Sequence, residues 1–239
     1  WGTPYGKLFY AYKRHLDEKA LEKDPLEELE RLYKLGSELA NDEAVLEECR
    51  RELVSLQNGD PESIALWEKV NELSIQGLET IYQQLDVRYD CYLGESFYRD
   101  KVDQVYRELH DAGLSQESEG AIVVFHPEHP RFSEQPFIVR KSDGASNYAT
   151  TDLATMLYRA EHFKATSIVI VTDDRQKDHF EQLDLTTRKW FERTGRKMPK
   201  FSHVMFGKIN GEDGKAIKSR SGDPIRLRQL LSEAIDRAG

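Results

Sequence analysis

The sequence predicts an α/β protein in which a parallel sheet carries flanking helices and an all-helical stretch is inserted beside it. Three observations lead there. The first is Ile168 to Val171, an apolar run of branched residues that is too short for a helix and reads as a strand buried on both faces. The second is the stretch just after it. Polar residues come at once, then Phe180, Leu183, Leu185 and Trp190 at helical spacing, then a short strand His203-Val204-Met205-Phe206. Strand, helix, strand in that order gives a parallel, Rossmann-like sheet. The third is a stripe of apolar residues from Leu26 to Leu85 at spacings of three and four, which is the buried face of a set of helices.

Composition narrows the class. The 239 residues suffice for one good core with room for a second small domain. Charged residues are 32% and apolar residues 38%, and no apolar run approaches the ~20 residues of a membrane span, so no membrane role is expected. Cys49 and Cys91 share no metal-type spacing and read as two reduced thiols of a cytoplasmic protein. An opening on Trp1-Gly2-Thr3, without methionine or a leader, is expected of a piece of something longer. The net charge of −9 is localised. Asp17 to Glu62 holds 15 acidic and 6 basic residues, whereas Arg196 to Arg228 holds 9 basic and 3 acidic. The basic end permits an anionic ligand, although on charge alone solvated helix faces and a surface loop are the favoured reading.

Taken in order, residues 1–15 read as a loop running into a short helix. Leu26 to Leu39 and Val45 to Leu56 are two helices broken at Asn41-Asp42. Asp60 caps a third that starts at Pro61 and runs through Trp67, Val70, Leu73 and Ile81. At Val87 the period changes to two, and Val87, Tyr89, Cys91 and Leu93 predict a half-buried strand. A helix over 97–112 stops at Gly113. Ala121 to Phe125 and Pro136 to Lys141 are strands, and 151–162 is a helix. A glycine- and lysine-rich loop, 207–223, precedes a final helix that starts at Pro224 under an Asp223 cap. No Gly-x-Gly-x-x-Gly, phosphate loop or zinc pattern is present.

Three features carry chemistry, all near the ends of the strands, where open α/β sheets place their ligands. Tyr148 and Asp152 stand four apart at a helix start and share a face, so a carboxylate and a phenol could together hold a cation. The competing reading is that Asp152 caps the helix, a role Thr150 or Thr151 could also fill. Gln176, just past the strand, is an amide fit to bond a planar polar ligand. The loop Lys215-Ala216-Ile217-Lys218-Ser219-Arg220-Ser221-Gly222 could neutralise phosphate charge in a transition state, the competing readings being an ordinary solvated loop or a nucleic-acid contact.

These residues carry a resemblance. The chain resembles the catalytic domain of class I arginyl-tRNA synthetases. Trp1-Gly2-Thr3 with Tyr5-Gly6 is similar to the family's segment downstream of its HIGH motif. Val139-Arg140-Lys141-Ser142-Asp143-Gly144 with Tyr148 and Asp152 is similar to its Arg-Lys-Ser-Asp-Gly block. Thr172-Asp173-Asp174-Arg175-Gln176 before His179-Phe180 is similar to its strand-end segment. His203 to Gly207, with Glu212 to Gly222, resembles the run into its KMSKS loop. The stretch from about 20 to 85 contributes least.

The resemblance implies that arginine and ATP, with Mg2+ accompanying the nucleotide, form arginyl-adenylate, and that the arginyl group passes to tRNA(Arg). It places Tyr148, Asp152 and Gln176 in the arginine pocket. His179, Phe206, Gly207 and Ser219 fall on the ATP side, and Lys215, Lys218 and Arg220 on the phosphates. It divides the chain into 1–15 after a missing HIGH half, a helical insertion 16–86, the second half of the catalytic domain 87–223, and the start of a helical region 224–239. Lacking the HIGH motif and an anticodon-binding domain, the chain alone is expected to charge little or no tRNA. The loop departs from Lys-Met-Ser-Lys-Ser, so which of Lys215, Lys218 and Arg220 reaches the phosphates is open. Two alternatives stand beside this reading: another class I-like nucleotidylyl transferase, or a noncatalytic paralogue that binds a partner through the arm 17–86.

Overall fold

The computed structural model describes residues 2–142, 147–207 and 227–238, and it divides into two compact units, Trp1–Tyr92 with Ile225–Gly239 and Leu93–Pro224. The first is helical. Its opening segment is a full helix, α1 (Thr3–His15), rather than a loop with a short helix, because Pro4 sits in the first turn where no amide is needed. Then come α2 (Glu18–Lys23), α3 (Pro25–Leu39), α4 (Glu43–Gln57) and α5 (Pro61–Gln84). An aspartate caps each: Asp17, Asp24, Asp42 and Asp60 accept from backbone amides of the first turn. Much of the acidic charge is therefore at helix N-termini, where it meets the positive end of the macrodipole.

The α1 helix approaches α3 and α4 closely at two glycines. A Cβ on Gly36 would stand 2.2 Å from the Lys7 carbonyl oxygen, and one on Gly6 2.2 Å from that of Cys49. Phe9, Ala11, Leu32 and Leu56 are fully enclosed between these helices. The segment 87–93 does not form the expected strand: among the described residues no partner pairs with it. Tyr89 and Tyr92 are exposed; the Tyr89 ring packs edge-on to Tyr82 at a centroid separation of 4.8 Å and tilted against Tyr92 at 5.6 Å.

The second unit is α/β. A 3-10 turn (Glu95–Lys101) leads into α6 (Val102–Asp111), and Gly113 leaves the helix at φ +64°. Strands β1 (Ser115–Ser118), β2 (Ala121–Val124) and β3 (Phe137–Arg140) form an antiparallel sheet in the order β1-β2-β3. Strand β1, Ser-Gln-Glu-Ser, has no apolar pattern to announce it. It exists because Glu119 (φ +51°) and Gly120 (φ +78°) make a two-residue turn of the kind that closes hairpins. Helix α7 (Tyr148–Glu161) follows, then β4 (Ser167–Asp173), a 3-10 turn (Asp174–Gln176), α8 (Lys177–Arg193) and β5 (Lys200–Phe206). Strands β4 and β5 pair in parallel along their whole length, from Ser167 opposite Lys200 to Asp173 opposite Phe206. That is the strand–helix–strand unit the sequence implies.

The core of this unit joins Val105, Leu109, Val139, Leu153, Met156, Leu183, Trp190 and Phe191, all fully buried. Strand β4 meets it on one face only: Ile168 is buried and Ile170 half-buried, whereas Val169 and Val171 are 56% and 60% exposed. This corrects the expectation of burial on both faces. The final helix, α9 (Leu227–Ala238), belongs to the first unit. The Asp223 cap and Pro224 start expected for it lie outside the described residues. Among those residues no helix is long and apolar enough to cross a membrane.

Candidate substrate site

The site is built where α7 and α8 begin. At the start of α7, Asn147 is the cap: its Oδ1 accepts from the Thr150 amide at 3.2 Å, and its Nδ2 donates to the Ile138 carbonyl at 2.8 Å. The buried Thr150 hydroxyl donates to the Val139 carbonyl. The first turn of α7 is thus stitched to β3. Asp152 is not the cap, so its carboxylate is left for other work. Tyr148, one turn earlier on the same face, is 64% exposed. Between them, Thr151 donates to Glu95 Oε1 at 3.1 Å.

The second side comes from α8. The chain leaves β4 at Asp173, turns through Asp174–Gln176 under an Asp173 cap, and enters α8 so that His179 falls in its first turn. His179 Nε2 stands 2.6 Å from Asp152 Oδ2, and because a carboxylate only accepts, the ring nitrogen is the donor. Asp152 Oδ1 has no hydrogen-bond partner among the described residues, and the Asp152 side chain is 33% exposed. The His179 ring is held by Tyr148 (centroids 4.7 Å apart), Phe180 (4.8 Å) and Phe137 (5.6 Å). Behind Phe180 lies His203, whose Nε2 is 2.7 Å from Thr172 Oγ1. Burial, and then the neighbouring His179, push its pKa below the ordinary histidine value.

Of the residues singled out in the sequence, Tyr148, Asp152 and His179 are brought into one cluster. Gln176 closes the turn that precedes α8, exposed and three residues before His179. Phe206, 56% exposed, ends β5 opposite Asp173, and Gly207 follows it, so both stand at the same strand ends. Lys215, Lys218, Ser219 and Arg220 lie outside the described residues, as do Asp143 and Gly144. Sequence reasoning missed Asn147 as the cap, although its position just before the helix is the usual one. It also missed the contact of His179 with Asp152, a pair 27 residues apart that no local spacing reveals. No group of three or more His, Cys, Asp or Glu side chains able to hold a metal stands among the described residues.

Comparison with known proteins gives this geometry a context. The family described as tRNA synthetases class I (R), catalytic domain, matches residues 1–239. The chain is 40% identical over 239 residues to an arginine–tRNA ligase of Clostridium acetobutylicum, covering 99% of this chain and 41% of that protein. To the arginine–tRNA ligase of Clostridium perfringens it is 41% identical over 242 residues, with the same coverage. The chain therefore spans about two fifths of the length of these relatives. Among solved structures, the arginyl-tRNA synthetase of Plasmodium falciparum superposes with a TM-score of 0.75 at 26% identity, over 100% of this chain and 37% of that one.

Proposed function

The chain belongs to the catalytic-domain family of class I arginyl-tRNA synthetases, and from that premise we propose that it serves the ATP-dependent activation of arginine and its transfer to tRNA(Arg). In the first step an arginine carboxylate oxygen bonds to the α-phosphorus of ATP and pyrophosphate leaves. In the second, a hydroxyl of the terminal adenosine of tRNA attacks the arginyl carbonyl and AMP leaves. The carboxylate is already a nucleophile, so the protein need supply no base to it. Its task is positioning and charge stabilisation. Mg2+ enters with ATP, on the phosphates.

The observation that carries the reading is the partly exposed Asp152 carboxylate beside the exposed Tyr148 ring at the ends of the parallel strands. A guanidinium is planar, always charged and a fork of donors, which suits a carboxylate edge with an aromatic wall. A lysine ammonium is a point charge and forfeits the paired bonds. Gln176 stands just before α8, three residues ahead of His179, where its amide could reach the amino acid. We assign Phe206, the last residue of β5, and Gly207 after it to the nucleotide, and Lys215, Lys218, Ser219 and Arg220 to the phosphates.

Calorimetric titration of arginine, with lysine as control, into the chain and its Asp152→Asn variant tests this. Arginine binds selectively, and the variant weakens it at least about tenfold, the loss of one charge-assisted pair. Equal arginine affinity in both proteins would refute the assignment.

A further inference from the structure

The geometry points to His179 as a positioning residue that fixes the Asp152 carboxylate for the substrate cation, an inference that rests on the arginine reading of the site. Asp152 has two rotatable side-chain bonds and sits on an open helix face, 33% exposed. Left alone, it would sample several rotamers, and a carboxylate that wanders presents no fixed edge to a planar fork. Its Oδ2 is instead held at 2.6 Å by His179 Nε2.

The histidine is itself immobilised. Its side chain is 12% exposed, and Phe137 from β3, Tyr148 from α7 and Phe180 from α8 all pack against its ring. The order of constraint therefore runs from an aromatic box to an imidazole, and from the imidazole to a carboxylate.

What this leaves open is specific. Each carboxylate oxygen has two lone pairs, and His179 takes one of the four on Asp152. Oδ1 has no partner among the described residues, and the second lone pair of Oδ2 remains, so a guanidinium can still pair along the carboxylate edge. Tyr148 serves twice, packing its ring edge-on to His179 while its exposed surface walls the cation site. The opposite possibility is that His179 merely occupies Asp152 and competes with the substrate. The two differ in sign: removing a positioner weakens arginine binding, and removing a competitor strengthens it.

The test titrates arginine and, separately, ATP into the full chain and into His179→Phe, His179→Asn and His179→Gln, with thermal unfolding run on each. Glutamine places an amide donor near the position of Nε2, whereas asparagine is too short to reach Oδ2. Arginine binding falls about tenfold or more in His179→Phe and His179→Asn and recovers to within about threefold of the unmutated chain in His179→Gln. ATP binding, the role the resemblance gave His179, changes less than arginine binding in each variant. If the phenylalanine variant does not unfold cooperatively, the Asn and Gln pair, alike in chemistry and different in reach, carries the comparison. Unchanged or tighter arginine binding in the variants would overturn the inference, as would a loss confined to ATP or an equal loss in Gln and Asn. If the unmutated chain binds no arginine, the titrations are repeated with the HIGH-bearing N-terminal half restored, and failure there would overturn the arginine reading, and this inference with it.

Discussion

His126 makes folding of the second unit sensitive to acid. It lies in the segment between β2 and β3, fully enclosed, with Nε2 3.0 Å from Thr186 Oγ1 on α8. Its Nδ1 is buried without a hydrogen bond, 3.9 Å from Glu128 Oε1. Burial, and then the nearby Lys189 charge, push its pKa from 6.5 down to about 4, against the opposing pull of Glu128. The folded protein thus refuses a proton that the unfolded chain accepts. Between pH 6.5 and about 4 the unfolded state binds more protons, so stability is lost as pH falls through that window and is fully present above it. At pH 4.5 the two values give a loss of about 2–3 kcal/mol, at roughly 1.36 kcal/mol per pH unit less the fraction already protonated. The assay is urea unfolding at pH 7.5 and 4.5, read from the buried Trp190 with Trp1 and Trp67 replaced by phenylalanine. His126→Gln, which cannot titrate, serves as reference. The parent should lose about 2–3 kcal/mol more than the reference on acidification. Equal losses would refute the reasoning.

Packing carries two further stability predictions. Gly36→Ala puts a methyl group 2.2 Å from the Lys7 carbonyl oxygen and forces α1 and α3 apart, so the helical unit should lose about 1–3 kcal/mol, read as a lower melting temperature; an unchanged value would deny the close approach. In β4, Ile168→Ala should cost about 2–5 kcal/mol and Val171→Thr within about 0.5 kcal/mol, because only the first side chain is buried. Comparable costs at the two positions would restore the two-faced strand that the sequence suggests.

What could be read from sequence was local. Asp60-Pro61 fixes the start of α5 because a cap and a rigid first residue act within four positions, and Asp42 does the same for α4. The leucine stripes fix which helix faces are buried. The segment 87–93 misled because alternation describes two faces of a strand but does not supply the partner that makes it one. Strand β1 was invisible for the converse reason: its polar residues are recruited by a turn at Glu119-Gly120 and by pairing with β2, not by a pattern of their own. Ile168 to Val171 reads as doubly buried because every residue is apolar, and apolarity alone does not say on which side the core stands.

The candidate site shows the same divide. Tyr148 and Asp152 were legible as a pair because one helix turn separates them. That His179 meets Asp152 depends on how two helix starts are held, and the segment that holds one of them contains no site residue. Asn147 and Thr150 tie α7 to β3. The start of α8 is tied to the β2–β3 segment, where Arg131 pairs with Asp178 and Glu181, and Gln182 donates to the Gln135 carbonyl. The ion pairs of Arg131 are exposed and weak one by one. Phe132, at 1% exposure, and the enclosed His126 bond to Thr186 give the segment its anchorage. Helix α8 is therefore fixed along its length by a loop whose own residues carry no chemistry, and the 2.6 Å contact at its first turn is where that fixation reaches the substrate face. The resemblance put His179 on the ATP side; its contact with Asp152, which no local spacing reveals, is why we assign it to the arginine side instead.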